Sequence, residues 1–471
     1  MSWFSVDKNS KTPMIRQLYS QIRESILSGR LKPQTQLPAS RELANQLEIS
    51  RNVVLEAYDL LYAEGFTETR RGSGTYIASG TMYKREERKK IKTPEVAAVT
   101  MGYDSPKDVI NFRAGTPDLS LFPRTLWLKM VKDVFTQPME EILIYGHPEG
   151  RHELRKAICE YVVTQREVSC HPDQIVITAG TTQAISIACH LLLQKSKDVI
   201  LEDPITRDIQ EIVKTHGAII HPVPVDNDGM DTGKLPRIAK PAFVYITPSH
   251  QFPVGSTLSI QRRIDLLNYA EKNNCYIIED DYDSEFRFDG PPLSSVHGLC
   301  PEKVVYIGTF SKTLCPAIRI GYMVLPHELI DLGRSRKWLS DLHNEVSSQL
   351  ALASFIQEGF YLRHVSKMRK HYLKKRRAVV SSLKTYLGNK MQLLGSATGL
   401  HLVVQFNNHT FTSDFFESVE SSGARFYPVE MHAIQKGEHL GKIMIGYGNV
   451  SIGDIDKGIK ILANHIKLIE K

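Results

Sequence analysis

No run of 18 apolar residues occurs in this chain, so no segment of it reads as a membrane span. Cysteine is sparse. The six present, Cys159, Cys170, Cys189, Cys275, Cys300 and Cys315, are scattered and form no Cys-x-x-Cys pair. That argues against a disulfide framework and against zinc, so no metal is expected, and it fits a reducing cytoplasm. The opening, Met1 to Lys11, lacks the basic-then-apolar order of a secretory signal, which points the same way. Internal repeats and low-complexity tracts are also missing. What is present is ordinary in bulk: 471 residues, 42% apolar and 24% charged, enough for two or three soluble domains.

The charge is not evenly spread. The net charge is +7, and residues 1–92 hold 16 Lys and Arg against 10 Asp and Glu, leaving only +1 for the other 379 residues. A basic N-terminal part on a near-neutral body suits a nucleic-acid binder, although a solvated charged face would look the same by charge alone.

The pattern of the first 78 residues separates those readings. Ile15, Leu18, Ile22, Ile26 and Leu27 fall at helical spacing, and Gly29 stops that helix. Ser40 is placed to cap a short second helix through Leu47 with Leu43, Ala44 and Leu47 inward, and Ser50 to cap a third that ends near Glu64 before Gly65. A strand (66–69), a basic turn (Arg70-Arg71-Gly72-Ser73-Gly74) and a second strand (75–77) follow. This is the order of a winged helix-turn-helix, whose second motif helix puts its first residues into the major groove. Ser50, Arg51 and Asn52 stand there, and arginine reads guanine while asparagine reads adenine. Ser40 and Arg41 are placed for phosphate; Arg70, Arg71 and Gly72 are placed on the wing for backbone or minor groove. Residues 79–108 lack apolar periodicity and include a charged run at 84–92, as a solvated basic linker would. The domain expectation is therefore 1–78, a linker 79–108, and 109–471.

From 109 onward apolar strands (174–178, 199–201, 243–247, 276–279, 304–308) alternate with helical stretches (182–194, 261–273), the signature of an α/β domain with a mostly parallel sheet. Long helices and a smaller mixed segment (391–471) follow. The strand ends carry a set of groups suited to pyridoxal phosphate (PLP). That cofactor needs an amine for a Schiff base, an acid at the ring nitrogen, a donor at the ring oxygen and a cationic cup for phosphate. Lys312, in Gly308-Thr309-Phe310-Ser311-Lys312, supplies the amine. Arg319, seven residues on, with Thr309 and Ser311, can meet the phosphate. So can the strand-to-helix turn at Gly180, Thr181 and Thr182. In Glu279-Asp280-Asp281-Tyr282-Asp283, Asp280 is assigned to the ring nitrogen, with Asp281 as an alternative, and Tyr282 to the ring hydroxyl. Metal binding by these acids is disfavoured because side chains diverge at a strand end. In the loop 247–255 either His250 or Gln251 can bond the ring oxygen.

Together these segments resemble the MocR/GabR family of bacterial regulators, which joins a GntR-type winged helix to a fold-type I aminotransferase-like domain with large and small subdomains. The likeness rests on LPASRELANQLEISRNVVLEAYDLLYAEGF and RRGSGTYI in 12–78, on TPSHQFP, EDDYDSEF and GTFSKTL with its later arginine, and on YGHPEGRHELR and AGTTQA. It implies PLP on Lys312, a head-to-tail domain-swapped homodimer, double-stranded promoter DNA as partner and a small-molecule effector.

Two departures bear on that effector. Where GabR-like sequences have an aromatic-then-arginine segment after Asp/Glu-Pro, this chain has Asp203-Pro204-Ile205-Thr206-Arg207-Asp208. Aminotransferases also clamp a substrate carboxylate with a C-terminal-domain arginine, and after Arg377 this chain has only Arg425. Either Arg207 or Arg425 serves in a shifted geometry, or the signal is PLP itself, as in family members that control vitamin B6 synthesis. The weak clamp tilts the reading toward PLP and away from catalysis. The rival function is a true aminotransferase with a DNA-binding appendage.

Overall fold

The computed structural model of the chain describes residues 4–81, 108–407 and 409–469. The chain divides into two compact units, one within residues 1–101 and one within 102–471. Most of the expected linker, residues 82–107, lies outside the described residues.

In the first unit helices α1 (Met14–Leu27), α2 (Ser40–Leu47) and α3 (Arg51–Ala63) precede a hairpin of β1 (Thr67–Arg70) and β2 (Gly74–Ile77). Leu18, Ile22 and Ile26 of α1, spaced four apart, share one apolar core with Val54, Ala57 and Leu61 of α3. Ser50 caps α3, accepting from the Val53 N–H at 3.4 Å. Ser40 does not cap α2: Ala39 holds that position, Ser40 is the first helical residue, and its hydroxyl instead accepts from Arg51 Nε at 3.2 Å. The hairpin pairs Arg70 with Gly74, so both belong to the strands and the turn is shorter than its composition suggested. Gly72, at φ +76°, supplies the left-handed residue the tight turn needs.

In the second unit β3 (Ile110–Asn111) leads to α4 (Arg124–Val134), α5 (Met139–Leu143) and α6 (His152–Arg166). Strands and helices then alternate: β4 (Ile175–Thr178), α7 (Thr181–Leu192), β5 (Asp198–Asp203), α8 (Arg207–Thr215), β6 (Ile219–Asp226), β7 (Gly229–Met230), β8 (Phe243–Ile246), α9 (Ile260–Asn273), β9 (Tyr276–Asp281), β10 (Val304–Thr309) and β11 (Gly321–Val324). Helices α10 (Ile330–Asp341), α11 (Val346–Gln357) and the long α12 (Phe360–Leu387) come next. The chain continues through β12 (Gln392–Leu394), β13 (His401–Gln405), α13 (Ser413–Ser421), β14 (Ala424–Arg425), β15 (Tyr427–Pro428), β16 (Lys442–Gly446) and α14 (Ile452–Ile469).

The large sheet has eight strands in the order β4-β11-β10-β9-β8-β5-β6-β7. Neighbours from β10 to β6 run parallel, while β11 and β7 pair antiparallel. Every residue of β4, β8 and β10 is buried, as expected where helices cover both faces of a parallel sheet. β9 runs two residues past the expected Glu279, because β10 continues alongside it and pairs Gly308 with Asp281. A smaller antiparallel sheet, β12-β13-β16-β15, packs with α12, α13 and α14 around Phe112, Tyr372, Leu402, Ile445 and Leu462. No described helix is long and apolar enough to cross a membrane.

Candidate cofactor site and nucleic-acid interface

The parallel strands place the C-terminal ends of β4, β5, β8, β9 and β10 on one edge of the large sheet, the usual ligand edge of an open α/β sheet. Lys312 follows β10. Its Nζ donates to the Gly115 carbonyl at 2.7 Å. Burial lowers its pKa, Asp283 and Asp280 push it up, and Arg113 and Arg319 push it down, so all four charges act on this amine. Asp280 is buried. Its Oδ2 accepts from the Tyr245 phenol at 2.5 Å, and its Oδ1 has no hydrogen-bond partner among the described residues. Burial pushes its pKa up to about 7 despite the Tyr245 bond.

Asp281, the next residue of the same strand, faces the other way. Arg166 donates to it at 2.7 Å and Tyr306 at 2.5 Å. The remaining acids diverge as well. Glu279 accepts from the N–H groups of Val296 and His297, and Asp283 meets His250 Nδ1 at 2.9 Å. Tyr282 donates to the His250 carbonyl at 2.9 Å and its ring lies 6.0 Å from the imidazole.

At the proposed phosphate cup Gly180 caps α7 with φ +89°. A Cβ there would stand 3.0–3.3 Å from the Arg319 guanidinium, which itself donates to the Ala179 carbonyl. The N–H groups of Thr181 and Thr182 open α7 and lack partners within the helix. Thr309 donates to Ser311 Oγ at 3.1 Å, and the Ser311 N–H returns to Thr309 Oγ1 at 3.2 Å. The Ser311 hydroxyl hydrogen is thereby left to point elsewhere. Taken together, the amine, the half-used buried carboxylate and the glycine-cleared arginine fit PLP. Lys312 would hold its carbonyl carbon, Asp280 its ring nitrogen, and Arg319 with Ser311 and the α7 N–H groups its phosphate.

Two expectations for this site need correction. Gln251 does not face this site: its amide donates to Glu202, Pro204 and Phe252, and its carbonyl accepts from Val254, so it braces its own loop. Arg425 is likewise engaged, forming an ion pair with Glu420, which α13 places beside β14. His250 keeps Nε2 without a partner among the described residues, but that atom lies against Gly255 in the interior.

Arg207 is exposed at the start of α8. Its charge, with those of Lys436 and Arg113, lowers the pKa of buried His432 to about 4, after burial itself. Arg113 therefore acts on both Lys312 and His432. It went unnoticed in the sequence, as did Gly115, because residues 112–118 have no helical or strand period. Asp203 joins the two subdomains, accepting from the N–H groups of Ile434 at 2.7 Å and Gln435 at 2.9 Å.

In the first unit Arg41, Arg51 and Asn52 are exposed, and Ser40 tethers Arg51. Arg71 is exposed in the wing turn. Arg70 is not a free cation: it donates to Glu68 at 2.6 Å and to Gln34, and lies 4.4 Å from the Tyr76 ring centroid. These contacts brace the wing, and Arg71 has no such partner among the described residues.

Residues 107–435 match the class I and II aminotransferase family, and residues 14–77 match the gntR family of bacterial regulatory proteins. The chain is 36% identical to the HTH-type transcriptional regulator YdeL of Bacillus subtilis, over 96% of each chain. It is 31% identical to the probable rhizopine catabolism regulatory protein MocR of Rhizobium meliloti, over 99% of this chain and 96% of that one. It is 30% identical to the pyridoxine biosynthesis transcriptional regulator PdxR of Corynebacterium glutamicum, over 85% of each. Among solved structures, Pyrococcus horikoshii kynurenine aminotransferase aligns with a TM-score of 0.72 at 25% identity, covering 77% of this chain and 92% of that one.

Proposed function

Since the chain belongs to the MocR/GabR family of transcriptional regulators, we propose that it is a PLP-dependent regulator whose aminotransferase-like domain senses a small molecule and adjusts binding to promoter DNA. One observation carries this reading. Arg51 and Asn52 stand exposed at the start of α3 in the same chain that pairs a desolvated Lys312 with the half-used carboxylate of Asp280. A helix start of that kind serves base edges. A lysine and acid of that kind serve the pyridine aldehyde, whose chemistry is to act as an electron sink when bound.

The signal favoured first is PLP itself, in control of vitamin B6 synthesis. Support comes from Arg425, which Glu420 removes as a carboxylate clamp, and from the likeness to a pyridoxine biosynthesis regulator. A second reading has its own support. Arg113 and Arg207 both lower the pKa of His432, and Arg113 lowers that of Lys312, so two cations bear electrostatically on the surroundings in which a carboxylate-bearing effector would sit. In either case the ligand favours one arrangement of a homodimer, and coupling of about 1–3 kcal/mol would change DNA affinity some 5- to 150-fold.

The test is binding to the DNA upstream of the protein's own gene, with PLP-stripped protein, with PLP restored, and with amino acids added. A change on restoring PLP alone supports the first reading. A change that needs an added amino acid supports the second. Turnover of an amino acid with no effect on DNA binding would overturn both in favour of an aminotransferase.

A further inference from the structure

Helix α12 carries nine Lys and Arg and no Asp or Glu in 28 residues. It does so in a part of the chain, residues 93–471, whose net charge is only +1. A helix that merely faces water usually mixes signs, because opposite charges three or four apart stabilise it and like charges destabilise it. This helix accepts the repulsion, and its cations are ordered. Arg363, Lys367, Lys370, Lys374 and Arg377 fall at alternating spacings of four and three, all exposed. The opposite side holds Tyr361, His364, Met368, Tyr372 and Val379, all buried, so the helix cannot rotate the stripe inward. Two other cations are neutralised, Lys375 by Asp118 and Arg376 by Asp289. The five of the stripe have no acidic partner among the described residues.

We propose that this stripe is a second DNA-contacting surface, one that grips the phosphates of duplex flanking the site read by α3. The proposal rests on the DNA-binding reading above. From Arg363 to Arg377 the stripe spans about 21 Å at 1.5 Å per residue, the length of about six base-pair steps along the duplex axis at 3.4 Å each. Its chemistry is that of phosphate binding: evenly set lysine and arginine cations along one face of a helix. An acidic protein partner fits less well, since protein interfaces concentrate their energy in aromatic anchors, and the tyrosine that lies between these cations in the sequence, Tyr372, is buried on the opposite side of the helix.

The experiment uses full-length protein carrying Lys367→Gln, Lys370→Gln and Lys374→Gln together. Affinity is measured across salt on the native upstream DNA, as a long fragment of about 80 base pairs and a trimmed one of about 20, roughly two turns. The substituted side chains are exposed, so visible absorbance of bound PLP serves as the folding control. The expected result is weaker binding to the long fragment, with the salt slope reduced by about 2.7, and no change on the short one. Equal affinities of variant and unaltered protein on the long fragment overturn the proposal, as does an equal loss on both lengths. Arg51→Ala run alongside should weaken both fragments. If the unaltered protein binds neither fragment, the DNA-binding reading itself fails and the stripe falls with it.

Discussion

Lys312 and Gly115 meet across 2.7 Å, amine to carbonyl, although 197 residues separate them. Gly115 has φ +75°, and a Cβ on it would stand 3.2 Å from Nζ. Gly115→Ala is therefore expected to strain the backbone and crowd the amine. The purified variant should hold less PLP than the unaltered protein, and Lys312→Ala should show no visible absorbance band at all. A full band in Lys312→Ala would remove this lysine from the site.

Asp280 offers one unused oxygen in a dry setting. Asp280→Asn keeps the shape and removes the charge that would pair with a protonated ring nitrogen. PLP affinity should fall by about 1.5–3 kcal/mol, roughly 10- to 150-fold, by equilibrium dialysis. The same change at Asp281 should act differently: it leaves Arg166 without its carboxylate and should lower the unfolding temperature.

On the DNA side, Arg51→Ala should weaken specific binding by about 1–3 kcal/mol and leave PLP absorbance intact. Ser40→Ala, which only unties Arg51, should have a smaller effect. Arg71→Ala should lower affinity across sequences, whereas Arg70→Ala should chiefly loosen the wing. Gel-shift titrations on operator and scrambled DNA distinguish these outcomes.

Stability should depend on pH in a particular window. Burial raises the pKa values of Glu202, Glu279 and Asp280 to about 7. Their unfolded values lie near 4, so above that pH the folded state binds more protons than the unfolded one, and stability falls as pH rises to about 7 and a little beyond. Buried histidines oppose this at lower pH: His297 and His432, lowered to about 4, favour folding as pH climbs toward 6.5. Above that the histidines are neutral in both states and the carboxylates act alone. PLP-free protein should therefore melt at lower temperature at pH 8 than at pH 6.5. Glu202→Gln should flatten the difference.

If the effector carries a carboxylate, Arg113→Ala and Arg207→Ala should each abolish its effect on DNA affinity while retaining PLP. Arg425→Ala should not, because its guanidinium is held by Glu420. Loss of response in Arg425→Ala alone would reverse that assignment.

The order of elements was readable because each had a local signal: Ser50 before α3, Gly65 after it, apolar runs for the parallel strands. Strand ends were misjudged where pairing decides them, as at Asp280 and Asp281, which extend β9 only because β10 lies alongside. Alternation along a strand told that these two acids face opposite ways. It could not tell which way, since Arg166 lies 115 residues from Asp281 in the chain. Gln251, Arg70 and Arg425 all hold partners that the sequence does not show, because a sequence displays a polar side chain but not the groups that already occupy it. Arg113 and Gly115 were missed because an irregular segment carries no period.

The opposed facing of Asp280 and Asp281 has a bearing on folding fidelity. If β9 paired with β10 one residue out of step, Asp281 would stand where Asp280 does, and Arg166 would lose its carboxylate in the interior. Stranding a buried arginine costs several kcal/mol, beyond the penalty of turning apolar side chains the wrong way. The misaligned sheet is thus rejected by charge as well as by shape, and the acids that make the strand end look like a binding site also proofread its alignment.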